Sequence, residues 1–249
     1  MSNTLLPNET SPLLSLESAI IGYKSAIFPP ISTHLNHSQL VAVMGANGTG
    51  KSTLLKSIAG YIPLIDGKII ATPGATITYI PSQTPRVKHL SLIDMMVAGL
   101  YRDSNWIGAI NRAQMEDVER VLKSVGLFNH RDRDISTLSD GEFHRATLAR
   151  GVIQKSKILV MDEPTAFLDI ANKIEMLQLL RKISCQERRS ILFSTHDIQH
   201  ALKIADRVWI LGYRGFIEGR PENLIEKGAF NQMFESTSLK FDPTLLTFL

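Results

Sequence analysis

The chain has 249 residues, 44% of them hydrophobic and 20% charged. These are ordinary proportions for a folded globular protein, and they exclude a disordered, collagenous or fibrous chain. Lys and Arg number 27 against 24 Asp and Glu, a net charge of +3, which is too small an excess to point to a nucleic-acid partner.

Residues 1–14, rich in Ser, Asn, Thr and Pro, read as a flexible leader. They have no basic start ahead of an apolar run, so they do not read as a secretory signal. Nowhere is there the run of roughly 20 apolar residues that a transmembrane helix needs. Residues 17–23 read as a strand, and QLVAVM at 39–44 as a short apolar strand. A glycine-rich turn follows, then a helix over 51–59 with Leu54, Leu55 and Ile58 facing inward. Asp66-Gly67 suits a hairpin turn, and 75–80 is another strand candidate. From 91 to about 150 the pattern turns helical. Ser91 and Asp94 have the spacing of a helix cap, and Ile93, Val97, Leu100 and Tyr101 share one face. Met115, Val118, Leu122 and Val125 line a second helix, with Gly126 as its stop. Strands resume at 158–161 (ILVM), 190–195 (SILFST) and 207–211 (RVWIL), separated by helices. The order describes an α/β core interrupted by an all-helical insertion. The one cysteine, Cys185, allows no intrachain disulfide or cysteine-rich zinc site and fits a reducing compartment.

Two motifs carry chemistry. GANGTGKS, residues 45–52, matches G-x-x-x-x-G-K-[ST] between an apolar strand and a helix. Its small residues, Gly45, Asn47, Gly48, Thr49 and Gly50, let backbone N–H groups wrap phosphates at a helix N-terminus that begins with Lys51, Ser52 and Thr53. Lys51 supplies a charge to the β- and γ-phosphates, and Ser52 a hydroxyl to Mg²⁺. In ILVMDE, residues 158–163, an apolar strand ends in two acids at a sheet edge, where open α/β sheets hold ligands. Asp162 suits the Mg²⁺ shell, and Glu163 suits polarising an attacking water. His196 and His200 stand four apart, a metal-ligand spacing, but His196 ends a strand and no third ligand is evident.

Between these motifs stands LSDGE, residues 138–142, ahead of the helix FHRATLARGVIQ. With it, the chain resembles the ATP-binding subunits of ABC transporters, whose signature is LSGGQ, from about residue 16 to 219. The resemblance implies a P-loop NTPase, RecA-like α/β core with an antiparallel β subdomain and an inserted α-helical subdomain. It places one domain over 15–230, with its core at 15–87 and 151–230, the helical insertion at 88–150 and a C-terminal extension at 231–249. It implies an ATPase using ATP and Mg²⁺. Tyr23 falls where the family stacks an aromatic ring on adenine, with a half-buried strand tyrosine as the alternative. Gln83, in YIPSQTP, fits the glutamine loop beside Mg²⁺. Asp169, in EPTAFLD, fits the loop that crosses the dimer interface, and also a helix N-cap. His196, ending SILFSTH, fits the switch histidine at the γ-phosphate.

The signature departs from the family at Asp140, for glycine, and Glu142, for glutamine. Ser139 and Gly141 remain, to meet a γ-phosphate held by another copy. Asp140 is expected to point away, since a carboxylate aimed at phosphate is repulsive, and Glu142 to gain from the helix dipole. The resemblance implies a homodimer with two ATP molecules at its interface. It also implies a polytopic permease partner, an indirect link to a substrate-binding protein, and a place on the cytoplasmic face of the cell membrane. The fragments KSTLLKSIAGYIPLIDGKI and STHDIQHALKIADRVWIL look like importer subunits for iron-siderophore, haem or cobalamin. Another transporter's ATPase, or a soluble ATPase of the same family, are the alternatives.

Overall fold

Strands buried on both faces organise the molecule, whose computed structural model describes residues 11–100, 110–234 and 239–249. Strand β3 (Leu40–Gly45) is buried throughout, as are β6 (Ile158–Met161) and β7 (Ser190–Ser194). Such runs lack polar alternation because both faces are covered. Period two divides them: Val41, Val43, Ile158, Val160 and Leu192 face one core, and Leu40, Ala42, Met44, Leu159 and Phe193 face the other. With β5 (Ile77–Ile80), β8 (Arg207–Gly212) and β9 (Gly215–Gly219) they form a six-stranded sheet in the order β5-β6-β7-β3-β8-β9. All its pairs are parallel except β8 with β9.

The first core lies between this sheet, helix α1 (Lys51–Ile58) and a three-stranded antiparallel sheet. That sheet pairs β1 (Leu14–Ile20) with β2 (Ile31–Leu35) and β4 (Asp66–Ala71). The second core carries the helical block, α2 (Leu92–Leu100), α3 (Arg112–Ser124) and α4 (Asp140–Ile153), and also α5 (Ile170–Gln186) and α6 (Ile198–Ile204). Asn111 and Gln114 form a capping box that starts α3, and Gly126, at φ +73°, follows its end. Helix α7 (Pro221–Glu226) leads to a small hairpin of β10 (Phe241–Asp242) and β11 (Thr247–Phe248), where Phe241 stacks on Phe230. The expected α/β core with an antiparallel sheet and inserted helices is therefore the architecture found.

Local expectations differ in four places. The first strand is Leu14–Ile20 rather than 17–23, so Tyr23 sits in a turn closed by the Gly22–Ala26 bridge. The leader expected over 1–14 gives way to packed chain by Leu13 and Leu14, both buried, with Leu13 N–H donating to the Leu35 carbonyl; residues 1–10 lie outside the described residues. Asp66-Gly67 is no hairpin turn but the start of β4. Its glycine takes φ +84° opposite a bulge at Ser18, whose carbonyl a Cβ would meet at 2.2 Å. Strand β2 forms where the sequence pattern predicts no strand, and Tyr101, expected on the α2 face, lies outside the described residues.

Candidate active site

Because β6, β7 and β3 are parallel neighbours, their carboxyl ends open on one edge, where a ligand in such a sheet binds. The phosphate loop leaves β3 there. Gly50, at φ +97°, caps α1 in the left-handed region, a conformation that favours glycine. A Cβ on Gly50 would meet Ile27 and Ile21, so the turn that presents Tyr23 packs directly on the loop. Tyr23 itself is 68% exposed, which corrects the half-buried strand alternative. Thr49 Oγ1 donates to the Ala46 carbonyl at 2.9 Å, while Asn47 and Gly48 are exposed at the tip.

Lys51 is buried and turns back into the loop, its Nζ donating to the carbonyls of Gly45 at 2.9 Å and Ala46 at 3.0 Å. Burial pushes its pKa down, and the Glu163 and Asp162 carboxylates push it up. Ser52 is the next residue, and its Oγ donates to Asp162 Oδ1 at 3.1 Å. Thr53 is buried in the same turn.

Asp162 is the hub. Its buried carboxylate also accepts from Ser194 Oγ at 2.7 Å and, more distantly, from the Tyr79 hydroxyl at 3.4 Å. Burial and the Asp162 charge push the Tyr79 pKa up, so it stays a neutral donor. Ser194 bridges the two acids: it donates to Asp162 and accepts the Glu163 backbone N–H at 2.8 Å. Glu163 holds φ +48°, a left-handed non-glycine conformation that costs on the order of 1 kcal/mol and persists only when over-determined. The Ser194 bond is one of its restraints. Glu163 Oε1 meets His196 Nε2 at 3.0 Å. His200 instead turns its Nδ1 to Asp197 at 2.8 Å, so the two histidines serve different carboxylates.

The structure thus joins Ser52, Asp162, Glu163 and His196 through Ser194 in one hydrogen-bonded cluster, and the charges of Asp162 and Glu163 reach Lys51. Gln83, Ser139, Gly141 and Asp169 stand outside that hydrogen-bonded network. Gln83 is exposed and lines a cavity of about 420 Å³ with Arg86, Asp140, Phe143 and His144. Ser139 caps α4, and Asp169 caps α5, accepting the Asn172 N–H at 2.8 Å. Gly141 is buried against α5, and a Cβ there would meet Asn172 Oδ1 at 2.1 Å. Ser194 and Tyr79 were missed. The available signal was a hydroxyl inside an apolar strand end, two residues before His196.

Glu142 completes a capping box, accepting the Ser139 N–H at 2.8 Å while the Glu142 N–H donates to Ser139 Oγ at 3.3 Å. The Ser139 N–H holds the Glu142 carboxyl below its usual range, with burial opposing and Arg133 and His130 assisting. A depressed folded pKa means this contribution is full above the unfolded value and is lost as pH falls through the folded one. Glu142→Gln, which keeps an acceptor but cannot titrate, is therefore expected to lower neutral-pH stability by less than about 1 kcal/mol. Its melting temperature should also fall less than wild type's between pH 6 and pH 3. An equal fall in thermal melts would remove Glu142 from the acid response.

The model of the ABC transporter family matches residues 28–166, more than half the chain. The probable siderophore transport system ATP-binding protein YusV of Bacillus subtilis is 32% identical over 225 residues, covering 85% of this chain and 82% of its own length. The zinc import ATP-binding protein ZnuC of Paracoccus denitrificans is 29% identical, covering 83% and 80%. Among solved structures, a metal-chelate type ABC transporter in an inward-facing conformation superposes with a TM-score of 0.83 at 26% identity, covering 90% of both chains. Sequence, fold and the loop-to-carboxylate geometry agree, and the chain belongs to the ABC transporter family as an ATP-binding, ATP-hydrolysing subunit.

Proposed function

We propose that the chain energises a membrane permease importing a metal chelate, a siderophore complex first, with haem or cobalamin as nearby alternatives. The chain of contacts Ser52–Asp162–Ser194–Glu163–His196 carries the hydrolytic part of this reading. The phosphate loop takes the β- and γ-phosphates on its N–H groups, and Lys51 leaves the Gly45 and Ala46 carbonyls to meet them. Tyr23 offers its exposed ring to adenine. The hard oxygens of Ser52 and Asp162 fit Mg²⁺, with Gln83 approaching from the helical side. Mg²⁺ there would neutralise charge on the β- and γ-phosphoryl oxygens. Glu163 orients water against the γ-phosphorus, and His196 holds Glu163 and the departing phosphoryl group. The β–γ bond breaks to ADP and phosphate.

Ser139 and Gly141 lie outside this cluster, so they act on ATP held by a second copy, with Asp169 crossing between copies. Closure around two ATP molecules and release after hydrolysis then drive the permease. No helix among the described residues is long and apolar enough to cross a membrane. The relatives that are ATP-binding subunits of transport systems support a contact with the permease at the cytoplasmic face. The segment from 86 to 101 is the docking face, and its last residue lies outside the described residues. The Bacillus subtilis relative named for siderophore transport and the metal-chelate neighbour support the cargo class.

Uptake in cells lacking the chain tests this reading, with ferric siderophore, haem, cobalamin and free zinc as separate cargoes. Loss of siderophore uptake, restored by the wild-type chain but not by Glu163→Gln, supports it. Intact uptake of all three chelates rejects it.

A further inference from the structure

The start of α4 is gripped from two sides. On one, Gly141 packs against Asn172, which is itself held by Asp169. On the other stands Arg86, three residues after Gln83. Its Nη1 donates to the Leu138 carbonyl at 2.6 Å, its Nη2 pairs with the Asp140 carboxylate, and its guanidinium lies over the Phe143 ring, 4.5 Å from the centroid. Leu138 and Asp140 flank Ser139 in the chain, and Phe143 sits one turn further on. A planar fork with an apolar-stacking face serves all three at once, which a lysine ammonium cannot do. His144 adds a tie at the same turn, its Nδ1 donating to the Pro164 carbonyl at 3.1 Å.

Asp140 gives this contact its meaning. An unpaired carboxylate beside Ser139 would repel the γ-phosphate that Ser139 is to meet. Paired with Arg86, that charge is compensated and turned toward the glutamine loop. We propose that Arg86 is a positioning residue that locks the signature loop to the glutamine loop and masks Asp140. Movement of the Gln83 segment is thereby delivered directly to Ser139. This rests on the reading that Ser139 meets ATP on a second copy.

The test is ATP-driven dimerisation of the full chain carrying Glu163→Gln, followed by size-exclusion chromatography with light scattering across ATP concentrations. Arg86→Ala is expected to raise the ATP needed for half-dimerisation by about tenfold, or about 1.4 kcal/mol of coupling between the signature loop and closure. ATP affinity of the monomer, measured by calorimetry, should be unchanged, because the phosphate loop is untouched. Adding Asp140→Gly to Arg86→Ala should recover part of the loss, since it removes the unmasked charge. A purely structural role for Arg86 predicts no such rescue. Arg86→Lys, which keeps the charge and loses the fork, should fall between wild type and Arg86→Ala, and it carries the test if Arg86→Ala does not fold. Wild-type dimerisation by the Arg86 variants, or a double variant no better than Arg86→Ala, overturns the proposal. Ser139→Arg separates the two failures. If it too dimerises normally, the two-copy reading is wrong; if it alone fails, only the Arg86 role is wrong.

Discussion

Glu163→Gln is expected to lower ATP turnover by about 10²- to 10⁴-fold, the range for loss of a positioned general base, while leaving ATP affinity intact. The substitution keeps side-chain size and an oxygen for His196. Glu163 bonds the Ser194 hydroxyl through its backbone N–H and not through its side chain, so the left-handed turn and the Asp162 hub are undisturbed. What is lost is the carboxylate charge proposed to orient and polarise water. Dimers with ATP trapped between them should accumulate, because closure is retained and its release is not. The measurement is phosphate release by the permease-bound complex, set against calorimetric ATP affinity. Turnover within a few-fold of wild type would remove Glu163 from the water-orienting role.

Lys51→Ala should act on the other step. Removing a buried ammonium from the phosphate cradle forfeits charge-assisted bonds worth about 1.5–3 kcal/mol, or about 10- to 100-fold in ATP dissociation constant. Its present partners, the carbonyls of Gly45 and Ala46, lie in the loop it must release to bind phosphate. ADP binding should weaken too, because the β-phosphate shares the cradle, whereas Glu163→Gln should leave ADP binding unchanged. Calorimetry with both nucleotides checks the contrast. An unchanged ATP affinity would assign the phosphate charge to another group.

The contrast between these variants also marks what the sequence makes visible. GANGTGKS and ILVMDE are contiguous, and each sits on a strand buried on both faces, so motif and element identify one another. Their meeting, Ser52 against Asp162, follows from the parallel order β6-β7-β3. Ser194 was overlooked because its role depends on Asp162 and Glu163, about thirty residues away in the chain, and a serine inside SILFST has no local mark. Arg86 and Asp140 are separated by more than fifty residues, and only packing of the glutamine loop on α4 brings them together. Asp66-Gly67 misled for a physical reason. The pair does need a left-handed glycine, but the need comes from the bulge opposite Ser18 rather than from a hairpin turn. Strand β2, ISTHL, alternates buried and exposed residues over only five positions, too few to stand out beside Pro29 and Pro30.

The proposed division of one reaction between two copies can be read out in a mixed dimer. Ser139→Arg blocks the signature face, and Lys51→Ala blocks the phosphate loop. In a dimer holding one copy of each, both defects fall on the same composite site and leave the other site whole. Tagged copies purified as mixed dimers with the permease should hydrolyse ATP at up to half the wild-type rate, well above either mutant homodimer. Hydrolysis by the mixed dimer no faster than by the homodimers would contradict a site built from two copies.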